Sequence, residues 1–536
     1  MKFKKEIVCI LSFLLVILML TGCSSAPGGT TGNKINKNVV NIGVTDSLTT
    51  INPLLIDATE LSKYAIGFSF LPLIELDSKL NVVGQLANSI TTKDNRTFTV
   101  KINKNAKWSD GQDITADDVI FSVLRLTDPK VGNVNIGGYA ALKGFDENGN
   151  SPEGAKNIAG LKKVDNKTVA FITKSPLSLA TFDNTIGRYL FTIPKHVLKN
   201  VSPDKLSKYS WFNKPTVISG PYRLINYDSN HYISYTANEN YWKGAPKIKY
   251  LNLKVVPASQ LYPGLKSGEI DFVQQTLGVF PQEDYKNVQK LSNVKTVLEQ
   301  PLTNQLVLLN TKTISDVRIR KAIQLATNRE QIVKSLLNGN GEVVDGFVTS
   351  YSPYFDSSIK PVKFDLDQAK KLVKEAHWDK SKQLTFLVDS GDSTFVQAAN
   401  IIAADLKTIG INVNVQTQDL SNLLAKAAKH KFDLFAVQYT LSPIDPYPDV
   451  DWIVNSDGDW PQYKNSELAA NLSKIQSAKS TEETKKLYSN IDKIVQNDVP
   501  LYSAYVLRSL GAYNKELKHA EPHIYGSFNN VEKWEK

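Results

Sequence analysis

The chain has 536 residues, of which 42% are hydrophobic and 22% charged, and a formal net charge of +10; this is a globular composition, which excludes a disordered or a membrane-embedded protein. Lys and Asp/Glu alternate without a long basic block, so the positive charge reads as solvated surface and not as a nucleic-acid interface. The only cysteines are Cys9 and Cys23, both near the N-terminus, so the body can hold neither a disulfide nor a thiolate metal cluster.

In chain order, Lys2, Lys4 and Lys5 precede an apolar run from Ile7 to Leu20 broken only by Ser12, and small residues follow. These are the three regions of a secretory signal. The run is shorter than the roughly 20 residues that span a bilayer as a helix. Leu20-Thr21-Gly22-Cys23 resembles the lipobox of bacterial lipoproteins, in which the Cys is acylated and becomes the first mature residue. The expectation is a signal peptide over 1–22, a lipid on Cys23, and a body outside the cell membrane. Residues 23–38 are rich in Gly, Ser, Thr, Asn and Lys and read as a flexible tether. At roughly 150 residues per domain, the rest predicts two to four domains.

Val39–Val44 predicts a buried strand and Asn52-Pro53 the turn after it. Thr97–Ile102 alternates with period two, as a half-buried strand does. Thr115 with Asp118 three residues later predicts a capping box, and Val119, Ile120, Val123 and Leu124 give the helix it starts an apolar face. The Gly- and Asn-rich stretch 128–160 reads as surface loop. Its Asp146, Asn148 and Asn150 suggest a calcium loop, but Ser151 and Asn157 stand where the EF-hand pattern needs Gly and Glu. Strand character returns from Ser219 to Val256, entered at Gly220-Pro221.

Further on, 315–326 and 328–337 predict helices, the second capped by Asn328 and stopped at Asn338-Gly339. From Asp365 the sequence alternates: a helix with Ala369, Leu372, Val373 and Ala376 on one face, a strand 384–388, and a helix 394–409. A strand from Ile411, a helix 423–428 and a strand 432–439 follow. That alternation predicts βαβ units and a largely parallel sheet. Ligands of such sheets sit beyond the carboxyl ends of the strands, which singles out 439–451. Tyr439, Tyr447, Trp452 and Trp460 cluster there among Asp445, Asp449, Asp451, Asp457 and Asp459, and aromatic walls with convergent polar groups describe a binding pocket.

Catalytic patterns are missing. The six histidines form no H-E-x-x-H, there is no G-x-S-x-G elbow, and no Gly-Lys pair closes a phosphate loop. Ser292/Lys295 and Ser357/Lys360 match S-x-x-K, but without the K-T-G strand that a penicillin-binding enzyme needs. No metal site and no cofactor are expected.

Several stretches together resemble the peptide/nickel class, family 5, of extracytoplasmic solute-binding proteins serving ABC importers. They are 107–111 (KWSDG) running into 114–122 (ITADDVIFS), 219–224 (SGPYRL) with Asn240-Tyr241-Trp242, 265–271 (LKSGEID), 317–323 (VRIRKAI) and 328–333 (NREQIV). The resemblance implies an α/β, two-lobed periplasmic-binding-protein-like fold of class II, large, with an extra subdomain in lobe I. It would place lobe I at 39–76, 206–304 and 506–536, the extra subdomain at 77–205, and lobe II at 305–505. It implies an oligopeptide held between the lobes by main-chain hydrogen bonds in the manner of an added strand.

Within this class, di- and oligopeptide binders of the enteric type use an Asp shortly after the last strand, three residues before an acidic-Pro pair, to meet the peptide amine. Here Asp445-Pro446 is the pair and Ser442 holds the earlier position, so a strict dipeptide preference is not expected. The candidate contacts are Tyr439, Ser442, Asp445 and Trp460, with Asn52 added from its place after the first strand. The expected partners are an ABC permease with its ATPase subunits and, through the lipid, the membrane; the protein is expected to act as a monomer and to catalyse nothing. Binding of an oligosaccharide or a nickel complex, a signalling-peptide receptor and an extracytoplasmic peptidase are the alternatives.

Overall fold

In the stretch Leu306-Val307-Leu308-Leu309, successive side chains enter two different hydrophobic clusters: Leu306 and Leu308 one, Val307 and Leu309 the other. A strand covered on both faces must do this, because its side chains alternate with period two. The same split holds in the neighbouring strands, where Phe386 and Leu434 join one cluster and Leu387 and Phe435 the other. These strands belong to a computed structural model that describes residues 37–536 apart from 58, 391–392 and 456–458, and only the backbone of 393, 420 and 421. The expected signal peptide, Cys23, the tether up to residue 36 and Asp457 therefore lie outside the described residues. Residues 38–536 form one compact unit.

The covered strands form a six-stranded sheet in the order Gly341–Glu342, Leu501–Leu507, Thr303–Leu309, Leu434–Thr440, Gln383–Asp389, Asn412–Gln418. Only its last three members run parallel, and Thr303–Leu309 is antiparallel to both neighbours. The largely parallel sheet expected from the βαβ alternation is thus half realised. Thr303–Leu309 enters from the other sheet and not through a crossover helix, so nothing obliges it to run parallel to Leu501–Leu507 and Leu434–Thr440 on either side.

The second lobe-forming sheet has seven strands, ordered Val294–Leu298, Leu510–Asn514, Phe272–Val273, Val39–Val44, Tyr250–Val255, Tyr232–Ala237, Tyr222–Asp228. The first predicted strand, Val39–Val44, lies at its centre, parallel to the strands on both sides. Gly220, at the predicted entry to this region, is required: a Cβ there would lie 2.3 Å from the carbonyl oxygen of Phe68. A four-stranded antiparallel sheet, Ala87–Thr92, Thr97–Ile102, Thr168–Ile172 and Leu161–Asp165, shares its core, with Phe98 stacked on Phe182 at 4.3 Å and Trp108 1% exposed.

The backbone passes between the two large sheets twice, after Val294–Leu298 and after Leu501–Leu507. The two crossings lie side by side, Glu299 N–H donating to Ser509 O at 2.9 Å and Leu302 N–H to Leu507 O at 3.4 Å. They form a two-stranded hinge. Glu299 also accepts from Ile524 N–H at 3.1 Å and sits 3.2 Å from His523 Nδ1, which ties the hinge to the C-terminal segment.

Local expectations largely hold. Asp118 accepts from Thr115 N–H and Oγ1–H at 2.9 Å at the start of Ala116–Leu126. Asn328 and Asp365 cap Arg329–Ser335 and Leu366–Glu375. The stretch 128–160 is not a surface loop: Val131, Ile136, Tyr139, Leu142 and Phe145 are all buried around the short turn Gly137–Ala141. Its apolar residues are buried one at a time, so they carry no period for the sequence to reveal. Asp146 closes a turn there, accepting from the N–H groups of Asn148 and Asn150.

Candidate functional site

Between the two large sheets lies a cavity of about 560 Å³, within the usual range for small-molecule sites. Strand ends build it. Asp46 follows Val39–Val44, Gln275 and Thr276 follow Phe272–Val273, and Gln438, Tyr439 and Thr440 end Leu434–Thr440. The hinge contributes Thr303, Leu507 and Ser509. Glu60, at the start of the helix Glu60–Ser69, together with Arg188, Tyr189, Asp449 and Tyr525, supplies the remaining charged and aromatic lining. A second cavity of about 380 Å³ shares Asp46, Val279 and Leu507 with the first and runs on to Phe280, Glu283, Phe395 and Tyr505. The two make one elongated cleft with walls from both lobes.

The segment after Tyr439 is held firmly. Thr303 and Thr440 hydroxyls meet at 2.9 Å, Ser352 Oγ–H donates to Pro443 O at 2.6 Å, and Tyr354 Oη–H donates to Ile444 O at 2.8 Å. Tyr439 lines the cavity and donates its hydroxyl to Asp449 Oδ1 at 3.2 Å. Ser442 lines it too; it is 8% exposed and its Oγ has no hydrogen-bond partner among the described residues.

The other predicted contacts lie elsewhere. Asp445 is 2% exposed and does not line the cavity. Trp460 is buried against Phe435, 5.2 Å between ring centroids, with Trp452 at 4.5 Å, so its bulk serves lobe packing. Asn52 is buried as a cap: its Oδ1 accepts from Leu54 N–H at 3.0 Å and its Nδ2–H donates to Leu206 O at 2.9 Å. The S-x-x-K pair Ser357/Lys360 is also structural, the amine donating to the Ser357 carbonyl at 2.8 Å.

Two buried ionic groups flank the cavity. In the first, Glu75 takes Arg188 Nε at 2.6 Å and Lys63 Nζ at 2.7 Å, all three nearly inaccessible. Burial alone would raise the Glu75 carboxyl, but Arg188, Lys63 and the Leu76 N–H outweigh it and hold it down at about 2. Arg188 still keeps Nη2 without a hydrogen-bond partner among the described residues.

The second group is acidic. Burial and then the Asp445 charge push Asp183 up to about 8. Burial, with Asp449 adding and the Thr181 hydroxyl opposing, raises Asp445 to about 7. Burial raises Asp449 to about 6 against the Tyr439 hydroxyl and the Ser442 N–H. One oxygen each of Asp183 and Asp445 lacks a hydrogen-bond partner among the described residues. Near them Gln476 donates to Thr181 Oγ1 at 3.4 Å, a link between the lobes.

Sequence reasoning missed Asp46, Glu60, Gln275, Arg188 and Tyr189. The rule that ligands sit beyond strand carboxyl ends, applied to Val39–Val44 as well as to the later strands, would have reached Asp46. Arg188 and Tyr189 stand in no local pattern, and only the packing of the extra subdomain brings them to the cavity.

The model of the bacterial extracellular solute-binding proteins, family 5 (middle), matches residues 81–460. The oligopeptide-binding protein AppA of Bacillus subtilis (strain 168) is 26% identical over 100% of this chain and 99% of its own. Its structure in complex with a nonapeptide superposes with a TM-score of 0.73, covering 92% of this chain and 98% of that one. The nickel-binding periplasmic protein of Escherichia coli (strain K12) is 23% identical over 76% of this chain and 78% of its own. Heme-binding protein A of Haemophilus influenzae (strain ATCC 51907 / DSM 11121 / KW20 / Rd) is 26% identical over 75% and 73%.

Proposed function

This chain belongs to the bacterial extracellular solute-binding proteins, family 5, and from that premise we propose that it captures oligopeptides outside the cell membrane and delivers them to an ABC permease. The observation that carries this reading is the elongated cleft, walled by both lobes and closed at the back by a two-stranded hinge. The likeness to the oligopeptide-binding AppA over the full chain supports it. In this reading Tyr439 and Ser442 touch ligand, and the acidic role expected of Asp445 passes to Asp449, whose residue lines the cavity.

The lobes close on ligand by a population shift, driven by contacts made only in the closed state. No reaction is catalysed, and the protein works as a monomer. The lipid on Cys23 holds it at the extracytoplasmic face of the cell membrane, which raises its local concentration beside the permease without new contacts.

One experiment tests both parts: fractionate cells expressing the wild-type chain and Cys23→Ala, then identify by mass spectrometry the small molecules that copurify with each. The wild type is expected in the membrane fraction, the variant released, and both loaded with peptides. A variant retained on membranes would remove the Cys23 anchor, and a metal complex, tetrapyrrole or sugar in place of peptides would replace the ligand.

A further inference from the structure

The chain as a whole is strongly basic, at +10, yet its cleft is not. Four carboxylate residues line the two connected cavities: Asp46, Glu60 and Asp449 in the larger, and Asp46 again with Glu283 in the smaller. Against these four stands one lining cation, Arg188, held 2.6 Å from Glu75, a carboxylate it shares with Lys63. No Lys or His is among the described residues lining either cavity. Lysine does line other cavities of the molecule, such as the one that holds Lys334, Lys360 and Lys363.

Apart from Arg188 Nη2, a donor, the polar groups left over point the same way. Asp183 Oδ1 and Asp445 Oδ2 are buried acceptors with no donor among the described residues, and they belong to the neighbours of cavity residues Asn184 and Ser442. The cavity residue Ser442 is itself more than nine-tenths buried with its hydroxyl unpartnered. Buried oxygens without a hydrogen-bond partner are costly until one arrives. A cationic group in the cavity supplies N–H donors and also answers the carboxylates by charge, in a site where water screens poorly.

Resting on the oligopeptide reading above, we infer that this cleft selects peptides bearing positively charged side chains and discriminates against acidic ones. Asp449, with Glu60 across the cavity, meets the cation, and Asp46 and Glu283 extend the preference along the cleft. Discrimination comes as much from repulsion of acidic peptides as from attraction of basic ones.

The test uses the full-length protein and three alanine-based hexapeptides that differ only in carrying two lysines, two glutamines or two glutamates at the same positions. Titration calorimetry should rank them lysine, glutamine, glutamate, with about tenfold or more between the extremes and a gap that narrows at high salt. Asp449→Asn should cut that ratio several-fold, and Glu60→Gln should do the same if the first variant fails to fold. Equal binding of the three peptides, or a preference for glutamate, overturns the charge selection and leaves peptide capture standing. Binding of none overturns peptide capture as well.

Discussion

The two buried ionic groups beside the cleft are opposites. Glu75 answers two cations, Lys63 and Arg188, and stays ionised although all three groups are desolvated. Asp183, Asp445 and Asp449 have no ion pair among the described residues, and each is driven toward its neutral form. Burial is common to both; the difference is the partner. The paired group fixes a wall, while the unpaired group leaves a demand that a ligand can meet.

The sharpest way to break this contrast is Glu75→Ala. It leaves two cations buried and unpaired, so the expected loss is about 3–5 kcal/mol in urea unfolding. Glu75 is ionised in the folded state down to about 2, so its contribution is present above the ordinary carboxylate range and fades as pH falls toward 2. A loss below about 1 kcal/mol would mean that the group behaves as a surface pair.

Asp183→Asn should act in the opposite direction. The folded chain keeps a proton on Asp183 up to about 8 that the unfolded chain has released by about 4, so wild-type stability falls as pH climbs between them. The variant's curve should be flatter over that window and lie above the wild type at its upper end. Parallel curves would show that Asp183 has found a cation.

The smallest effect belongs to the hinge, where the His523 side chain is 24% exposed. Hydrogen bonding to Glu299, against burial, raises His523, and Glu299 is held below its ordinary range, burial notwithstanding, by His523 and the N–H groups of Gln300 and Ile524. The pair therefore contributes above the carboxylate range of Glu299 and loses its effect as pH rises through the raised His523 value. His523→Gln should cost about 1 kcal/mol or less near pH 6 and nothing near pH 9. An equal cost at both pH values would make the role packing alone.

Much of the architecture was legible because it is local. Val39–Val44, Thr97–Ile102 and the alternation from Asp365 to Tyr439 each carry their own period, and Thr115/Asp118, Asn328 and Asp365 cap where the pattern places them. The end of Leu434–Thr440 was marked as a binding wall by strand direction alone, and Tyr439 and Ser442 do line the cavity. Trp460 and Asn52 show the limit. An aromatic or an amide near a strand end looks the same in sequence whether it faces a cleft or fills a core.

The sequence by itself determined the class of the protein: periodicity and capping set the elements, and ordered stretches such as 107–111 and 219–224 carried the family. The antiparallel half of the six-stranded sheet, the hinge at Glu299 and Ser509, and the charge of the cleft were decided only by tertiary structure. The reason is distance along the chain. Asp46, Glu60, Arg188 and Asp449 come from four separate segments, and no local rule of propensity or period acts between residues that meet only when both lobes have formed.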